Sequence, residues 1–357
     1  MKTNIVKKPF GVLKDGREVT AYTLQSGTSS VTVLDFGGII HSIVVPDKNG
    51  VLTDVALGYD TPQEYLEKGG TIGAICGRFA NRIDKGMLTV EGKTYSLYTN
   101  DRGNHLHGGK DGFDKKLWAA EIIHDKFGNE ELSLTILSFD GEENYPGNVK
   151  VQVIYSFVDG ALTLDYLALS DQATAINLTN HVYFNLNGAG SGSALQHNLW
   201  LNAPYYLPTD ENMIPHGEIK AVQGTPFDFL VPKQLAAGDE KRNEDKDLSQ
   251  GKGFDHCFVF EKPRDRGVPF AILCGDKSGI EMQCFTTQPS VQLYAGNFLD
   301  TYGKGGSYYG RCGGVCLETQ EPPNNVNVEA YQKYGYSVYA ADEVYHYITR
   351  FTFGIKE

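Results

Sequence analysis

Short runs of alternating apolar and polar residues, each closed by Gly, Asp or Asn, recur along the whole chain. Val149 to Phe157 alternates, Asp159-Gly160 turns the backbone, and Leu162, Leu164 and Tyr166 resume the alternation. That is the pattern of a β-hairpin with a tight turn. Ile40–Val45 and Val51–Leu57 flank Asp47-Lys48-Asn49-Gly50, Met87–Val90 and Thr94–Tyr98 flank Glu91-Gly92-Lys93, and Phe270–Cys274 and Ile280–Phe285 flank Asp276-Lys277-Ser278-Gly279. Turns at this frequency predict an all-β chain, an antiparallel sandwich or barrel. One short helix is predicted after Thr61, where Pro62 and Glu64 complete a capping box and Gly69 supplies the stop. The charged stretch 238–253 reads as a solvated surface loop. With no repeat, low-complexity tract or shift in composition, residues 1–357 are expected to form one domain.

Charge narrows the partners. The 357 residues carry 44 acidic and 32 basic side chains, a formal charge of −12. Nucleic acid and anionic membranes both demand a basic face, so neither is an expected partner. No apolar run reaches the roughly 18 residues that span a bilayer. The basic start Met1-Lys2-Thr3-Asn4 is followed by no apolar signal segment. Six cysteines, Cys76, Cys257, Cys274, Cys284, Cys312 and Cys316, sit mostly in strand-like segments and read as core hydrophobes. A reduced, cytoplasmic protein is the expectation.

Four segments place polar residues of catalytic type where a sheet should be dry. In Thr179-Asn180-His181-Val182-Tyr183-Phe184-Asn185-Leu186 a period of two puts Val182, Phe184 and Leu186 on one face and His181, Tyr183 and Asn185 on the other. In Gly314-Val315-Cys316-Leu317-Glu318-Thr319-Gln320, Glu318 and Gln320 share a face, and a carboxylate in such an apolar run is costly to bury unpaired. In Asn104-His105-Leu106-His107-Gly108-Gly109, an extended backbone would project His105 and His107 from one side. Gly253-Phe254-Asp255-His256 closes the charged loop, and Arg78 and Arg82 add cations. Each residue also has a plain structural reading: a hydrogen-bonded strand His, a salt-bridged Glu, a turn Asp, a core Cys316. His124, His197, His216 and His346 are given no role.

Three chemistries fit this set. Asp255 and Glu318 could be a glycosidase pair. His105, His107, His181 and a Glu could ligate zinc or iron. A His and a Glu without metal could run acid–base chemistry at a neutral sugar. The chain has no phosphate-binding glycine loop, nucleophile elbow or dinucleotide fingerprint, so nucleotide kinases and NAD enzymes are excluded.

The order of motifs resembles the aldose 1-epimerase, or galactose mutarotase, family. It runs through Gly77-Arg78-Phe79-Ala80-Asn81-Arg82-Ile83, Leu106-His107-Gly108-Gly109, Gly112-Phe113-Asp114-Lys115 with Trp118, and the Thr179–Leu186 segment. It continues in Thr225-Pro226-Phe227-Asp228, Gly253-Phe254-Asp255-His256, Val291-Gln292-Leu293-Tyr294 with Gly296-Asn297-Phe298, and Leu317-Glu318-Thr319-Gln320. The resemblance implies a single large antiparallel β-sandwich, the mutarotase supersandwich, with few short helices, a sugar cleft on one sheet and no cofactor or metal. It implies His181 as general acid and Glu318 as general base, with Asn81, Arg82, His107, Asp255 and Gln292 binding the sugar. The implied activity is interconversion of α and β anomers of free aldohexoses such as galactose and glucose, by a monomer or homodimer. The alternatives are an epimerase of a phosphorylated hexose, for which Lys241-Arg242 is the extra basic pair near the cleft, and a non-catalytic sugar-binding protein of the same fold.

The chain departs from the family at Pro289-Ser290, at Pro322-Pro323-Asn324-Asn325-Val326-Asn327 and in the loop 238–253. These departures bear on substrate preference and loop closure. Desolvation is expected to keep Glu318 basic, while a neighbouring carboxylate keeps His181 protonated at neutral pH.

Overall fold

The computed structural model describes residues 2–262 and 265–356. Its largest element is a nine-stranded antiparallel sheet whose order is Ala119–His124, Glu130–Ser138, Val149–Val158, Ala161–Ser170, Tyr345–Ile355, Ile280–Thr286, Ala271–Cys274, Asn198–Leu201 and Lys233–Gln234. A five-stranded N-terminal sheet runs in simple sequence order from Asn4–Val12 to Leu52–Asp54. A second five-stranded sheet orders Lys220–Ala221, Tyr205–Leu207, Asp255–Val259, Ser290–Tyr294 and Cys316–Gln320. Inward-facing residues of all three sheets, Val31 and Val33, Val151 and Val153, Leu293 and Leu317, meet in one apolar cluster. The architecture is the expected all-β, antiparallel sandwich.

Each hairpin read from the alternation forms. Val158 pairs with Ala161 around Asp159-Gly160, Val44 with Asp54, Met87 with Ser96, and Ala271 with Cys284. The helix Pro62–Lys68 has its capping box: the Glu64 backbone N–H donates to Thr61 Oγ1 over 3.3 Å, and the Thr61 N–H to the Glu64 carboxylate over 3.0 Å. Among the described residues no helix is long and apolar enough to cross a membrane.

The stretch 238–253 is more ordered than expected. It holds the end of a helix, Leu235–Asp239, and a second helix, Lys246–Gly251, whose first turn is capped by the Asp245 carboxylate. Glu329–Gln332 adds a further helical turn. Leu235 and Leu248 are wholly buried, so two apolar anchors pin a segment whose charge suggested a solvated loop. Asp239, also buried, receives two nitrogens of Arg311, at 3.1 and 2.7 Å, and one of Arg242 at 3.0 Å. That ion cluster fastens the helical segment leading into Asp255.

Candidate active site

Three neighbouring strands of the second five-stranded sheet build the floor of a cleft. Alternation sends Val291, Leu293 and Leu317 into the main core and leaves Gln292, Tyr294 and Glu318 on the opposite face. Register sets Gln292 directly across from Glu318 and Tyr294 across from Asp255. Gln292 Nε2 donates to Asp255 Oδ1 over 2.7 Å. Gln292 Oε1 and Glu318 Oε2 are buried and have no partner among the described residues. Buried polar atoms are almost always paired, so two orphan acceptors converging on one cleft mark a ligand site.

The segment after Thr179–Asn180 forms the wall. It leaves regular strand geometry at His181, yet its two-faced pattern persists: Val182, Phe184 and Leu186 join the main core, while Tyr183 packs in a second cluster with Leu57 and Tyr309. The His181 backbone is fixed on both sides, its N–H donating to the Ala74 carbonyl and its carbonyl accepting from the Gly73 N–H, each at 2.9 Å. Its ring stacks on Tyr183 at 4.9 Å between centroids. Nε2 thereby stands 3.6 Å from Glu318 Oε1, with both side chains buried. Asn185, on the same face in sequence, is structural and donates to the carbonyls of Gly192 and Gly313.

The opposite wall comes from two loops pressed together. Gly108, at φ +88°, sits so close to the Gly77 carbonyl that a Cβ there would lie 1.7 Å from its oxygen. Asn81 and His107 both take left-handed backbone conformations, φ +62° and +51°, which non-glycine residues adopt mainly where surrounding structure over-determines them. The Asn81 N–H donates to His107 Nδ1 over 3.1 Å. Arg82 is held by its Nε to Asp101 Oδ2 at 2.8 Å, and its charge acts on both His107 and Glu318.

His105 and His107 do not project together. His105 lies in the strand His105–Leu106, wholly buried, with Nδ1 2.7 Å from the Tyr98 carbonyl and Nε2 2.6 Å from the Tyr145 hydroxyl. The positive φ at His107 turns the chain, so only His107 reaches the cleft. Arg78 is likewise structural, buried among Ser138, Phe139, Pro146 and Gly147. The seven residues singled out for catalysis or sugar binding lie in one neighbourhood: the rings of His107 and His181 meet at 5.4 Å, His181 faces Glu318, and Glu318 pairs in register with Gln292. Gln292 bonds Asp255, the Asn81 N–H bonds His107, and the charge of Arg82 acts on His107 and Glu318. The aromatic lining, Tyr183 and Tyr294 at 5.9 Å, was not singled out for binding; its signal was the Tyr183 position beside His181 in the alternation.

Burial governs the titrating groups. It raises Glu318 well above the ordinary 4.5, reinforced by Asp255 and opposed by Arg82. It lowers His181 from 6.5 to about 4, outweighing the ring's own backbone carbonyl and Asp255, which favour the charged form. The expectation of an imidazolium held by a neighbouring carboxylate is therefore reversed for the empty cleft: desolvation exceeds the pull of that carboxylate. His107 is lowered as well, first by burial and then by His181.

Donor atoms of His107, His181 and Glu318 lie within 4.8 Å of one another, a spacing with some likeness to a metal site. The tautomer argues otherwise. With Nδ1 of His107 accepting from Asn81, the neutral ring carries its hydrogen on Nε2 and offers a donor, not a lone pair, to the cleft. That suits a sugar hydroxyl.

The aldose 1-epimerase family model matches residues 20–350. A galactose mutarotase of Sus scrofa is 40% identical over 327 residues, covering 91% of this chain and 92% of its own. The galactose mutarotase of Homo sapiens is 41% identical over the same coverage. Among solved structures, a galactose 1-epimerase from Lactobacillus acidophilus superposes with a TM-score of 0.84 at 28% identity, each chain covered in full.

Proposed function

The chain belongs to the aldose 1-epimerase family, and from that membership we propose that it interconverts the α and β anomers of free aldohexoses such as galactose and glucose, with Glu318 as general base and His181 as general acid. The observation that carries this reading is the 3.6 Å approach of His181 Nε2 to Glu318 Oε1 in a desolvated cleft. The two proton transfers of mutarotation occur at oxygens on one carbon, so acid and base must converge on a single point. These two groups do.

The step runs as follows. The Glu318 carboxylate takes the proton from the C1 hydroxyl while His181 Nε2 gives its proton to the ring oxygen. The bond between C1 and the ring oxygen breaks, and C1 becomes an aldehyde carbon. Rotation about C1–C2 presents the other face, and closure returns both protons by the reverse path. The pair holds one proton throughout. It sits on His181 with the closed sugar and on Glu318 with the open chain. Burial favours the second arrangement, in which both side chains are neutral, and so stabilises the state that accompanies the aldehyde.

Asp255, Gln292, Arg82, Asn81 and His107 ring the cleft as donors and acceptors for the remaining hydroxyls, holding the sugar while C1 turns. The phosphorylated-hexose reading is weaker: Lys241 pairs with Glu244, and Arg242 with Asp239, so the extra basic pair is already neutralised. Saturation transfer between the anomeric protons of galactose, and separately of glucose, tests the activity. Exchange accelerated by wild type and lost in His181→Gln supports the reading. Unchanged exchange with either sugar contradicts it.

A further inference from the structure

Tyr294 ends the strand Ser290–Tyr294 that carries Gln292, two residues further on and on the same face. It lies directly across from Asp255 on the neighbouring strand, a placement that sets two side chains next to each other. Its ring stands edge-on to His181 at 6.0 Å and to Tyr183 at 5.9 Å between centroids. The phenol therefore packs against the acid and beside a carboxylate, yet the proton transfers give it no part.

The hydroxyl makes one hydrogen bond among the described residues, and its direction is fixed. The Phe298 backbone N–H donates to Tyr294 Oη over 3.3 Å. An amide N–H cannot accept, so the oxygen is the acceptor and its own hydrogen is left to give. Burial, and after it the charge of Asp255, raises the phenol above its ordinary 10, so that hydrogen stays on the oxygen. Asp255 Oδ1 takes the Gln292 amide hydrogen, and Oδ2 has no partner among the described residues. The Phe298 N–H is itself held in place. Asn297 Nδ2, one residue earlier, donates to the carbonyls of Gly251 and Phe254, each at 2.9 Å, in the turn that leads into Asp255. One turn thus fixes the partner of the Tyr294 hydroxyl and the chain that delivers Asp255.

We infer that Tyr294 is a further sugar-binding residue, donating its hydroxyl hydrogen to the same sugar hydroxyl that gives its own hydrogen to Asp255. The inference rests on the reading of the cleft as an aldose site. A sugar hydroxyl gives one hydrogen and takes another, so a phenol O–H beside a carboxylate oxygen meets both halves of a single hydroxyl. Such a pair is selective, because an aldose lacking that group leaves a donor and an acceptor unpaired together. Neither group exchanges a proton with the sugar, so the contribution falls on binding and not on ring opening.

Steady-state kinetics on galactose and on the four analogues lacking one hydroxyl, at C2, C3, C4 or C6, tests this with wild type, Tyr294→Phe and Asp255→Asn. Tyr294→Phe should raise KM for galactose roughly 10-fold, the scale of one lost hydrogen bond, with kcat within about twofold. One analogue should have the same KM with Tyr294→Phe as with wild type, and it should be the analogue that Asp255→Asn also ignores. An unchanged KM for galactose overturns the inference. So does a KM raised equally for all five sugars, the result of losing the Phe298 anchor alone, and so does an indifferent analogue that differs between the two variants. Should the phenylalanine variant not fold, the carbon-13 resonance of Tyr294 Cζ in wild type decides. Galactose should move it further than the analogue that Asp255→Asn ignores, and an equal shift overturns the inference. Failure of the aldose reading looks different: wild type would accelerate anomer exchange of none of the five sugars.

Discussion

His181 and Glu318 approach to 3.6 Å, and burial drives their proton affinities in opposite directions, the imidazole down to about 4 and the carboxyl well above 4.5. Two groups this close titrate as a pair. The pair is competent with one proton aboard. A second proton, added at low pH, removes the base, and loss of the only proton, at high pH, removes the acid.

The pH dependence follows with its sign. Because His181 is lowered from 6.5 to about 4, kcat/KM should hold steady as pH falls through 6.5 and drop only near 4. The alkaline limb belongs to the raised carboxyl. A kcat/KM profile reads both, and an acid limb near 6.5 would show that the imidazole behaves as an exposed one.

Glu318 should also cost stability. A carboxyl whose folded pKa is raised prefers its protonated form in the folded chain, so stability falls as pH rises from 4.5 towards that higher value. Glu318→Gln keeps the shape and never ionises. Its melting temperature should exceed that of wild type at mildly alkaline pH, with the gap closing as pH falls towards 4.5. A variant less stable at every pH would mean that the carboxylate is paired rather than strained.

Much of this was legible in the sequence because the sheet signal is local. Alternation plus Asp-Gly and Asn-Gly turns set Val149–Phe157 against the strand of Leu162, Leu164 and Tyr166, and a period of two put Glu318 and Gln320 on a common face. The segment after Thr179 kept that alternation even where the strand itself dissolves at His181. What the sequence hid depended on backbone turns and distant anchors. The positive φ of His107 separates it from His105, and no periodicity reveals it. Two buried leucines and the Asp239–Arg311 pair convert an apparently solvated stretch into helices, through contacts far away in sequence. The sign of the His181 shift also waited on depth of burial, which a neighbouring carboxylate could not announce.

Asp255 should matter to binding more than to the chemical step. It accepts from Gln292 and lines the cleft beside it. On the proposed role of Asp255 as a sugar contact, Asp255→Asn replaces a charge-assisted hydrogen bond worth about 1.5–3 kcal/mol, so KM for galactose should rise roughly 10- to 150-fold while kcat changes less. Steady-state kinetics separate the two, and an unchanged KM would remove Asp255 from the sugar's contacts.

The ion cluster at Asp239 should act through the segment it fastens. Asp239→Asn weakens the links to Arg311 and Arg242. Amide exchange across residues 235–253 should quicken, and KM should rise while the pH profile keeps its limbs. Exchange confined to its wild-type rate would show that Leu235 and Leu248 alone hold the segment.

The central claim is that Glu318 is the base of an anomer-interconverting enzyme. Polarimetry on freshly dissolved α-D-galactose, at low buffer concentration so that spontaneous mutarotation stays slow, tests it most directly. Wild type should bring the rotation quickly to equilibrium, and Glu318→Gln should do so at least ~10²-fold more slowly with sugar binding retained, the scale of a lost general base. A glutamine variant that equilibrates galactose as fast as wild type would contradict the account.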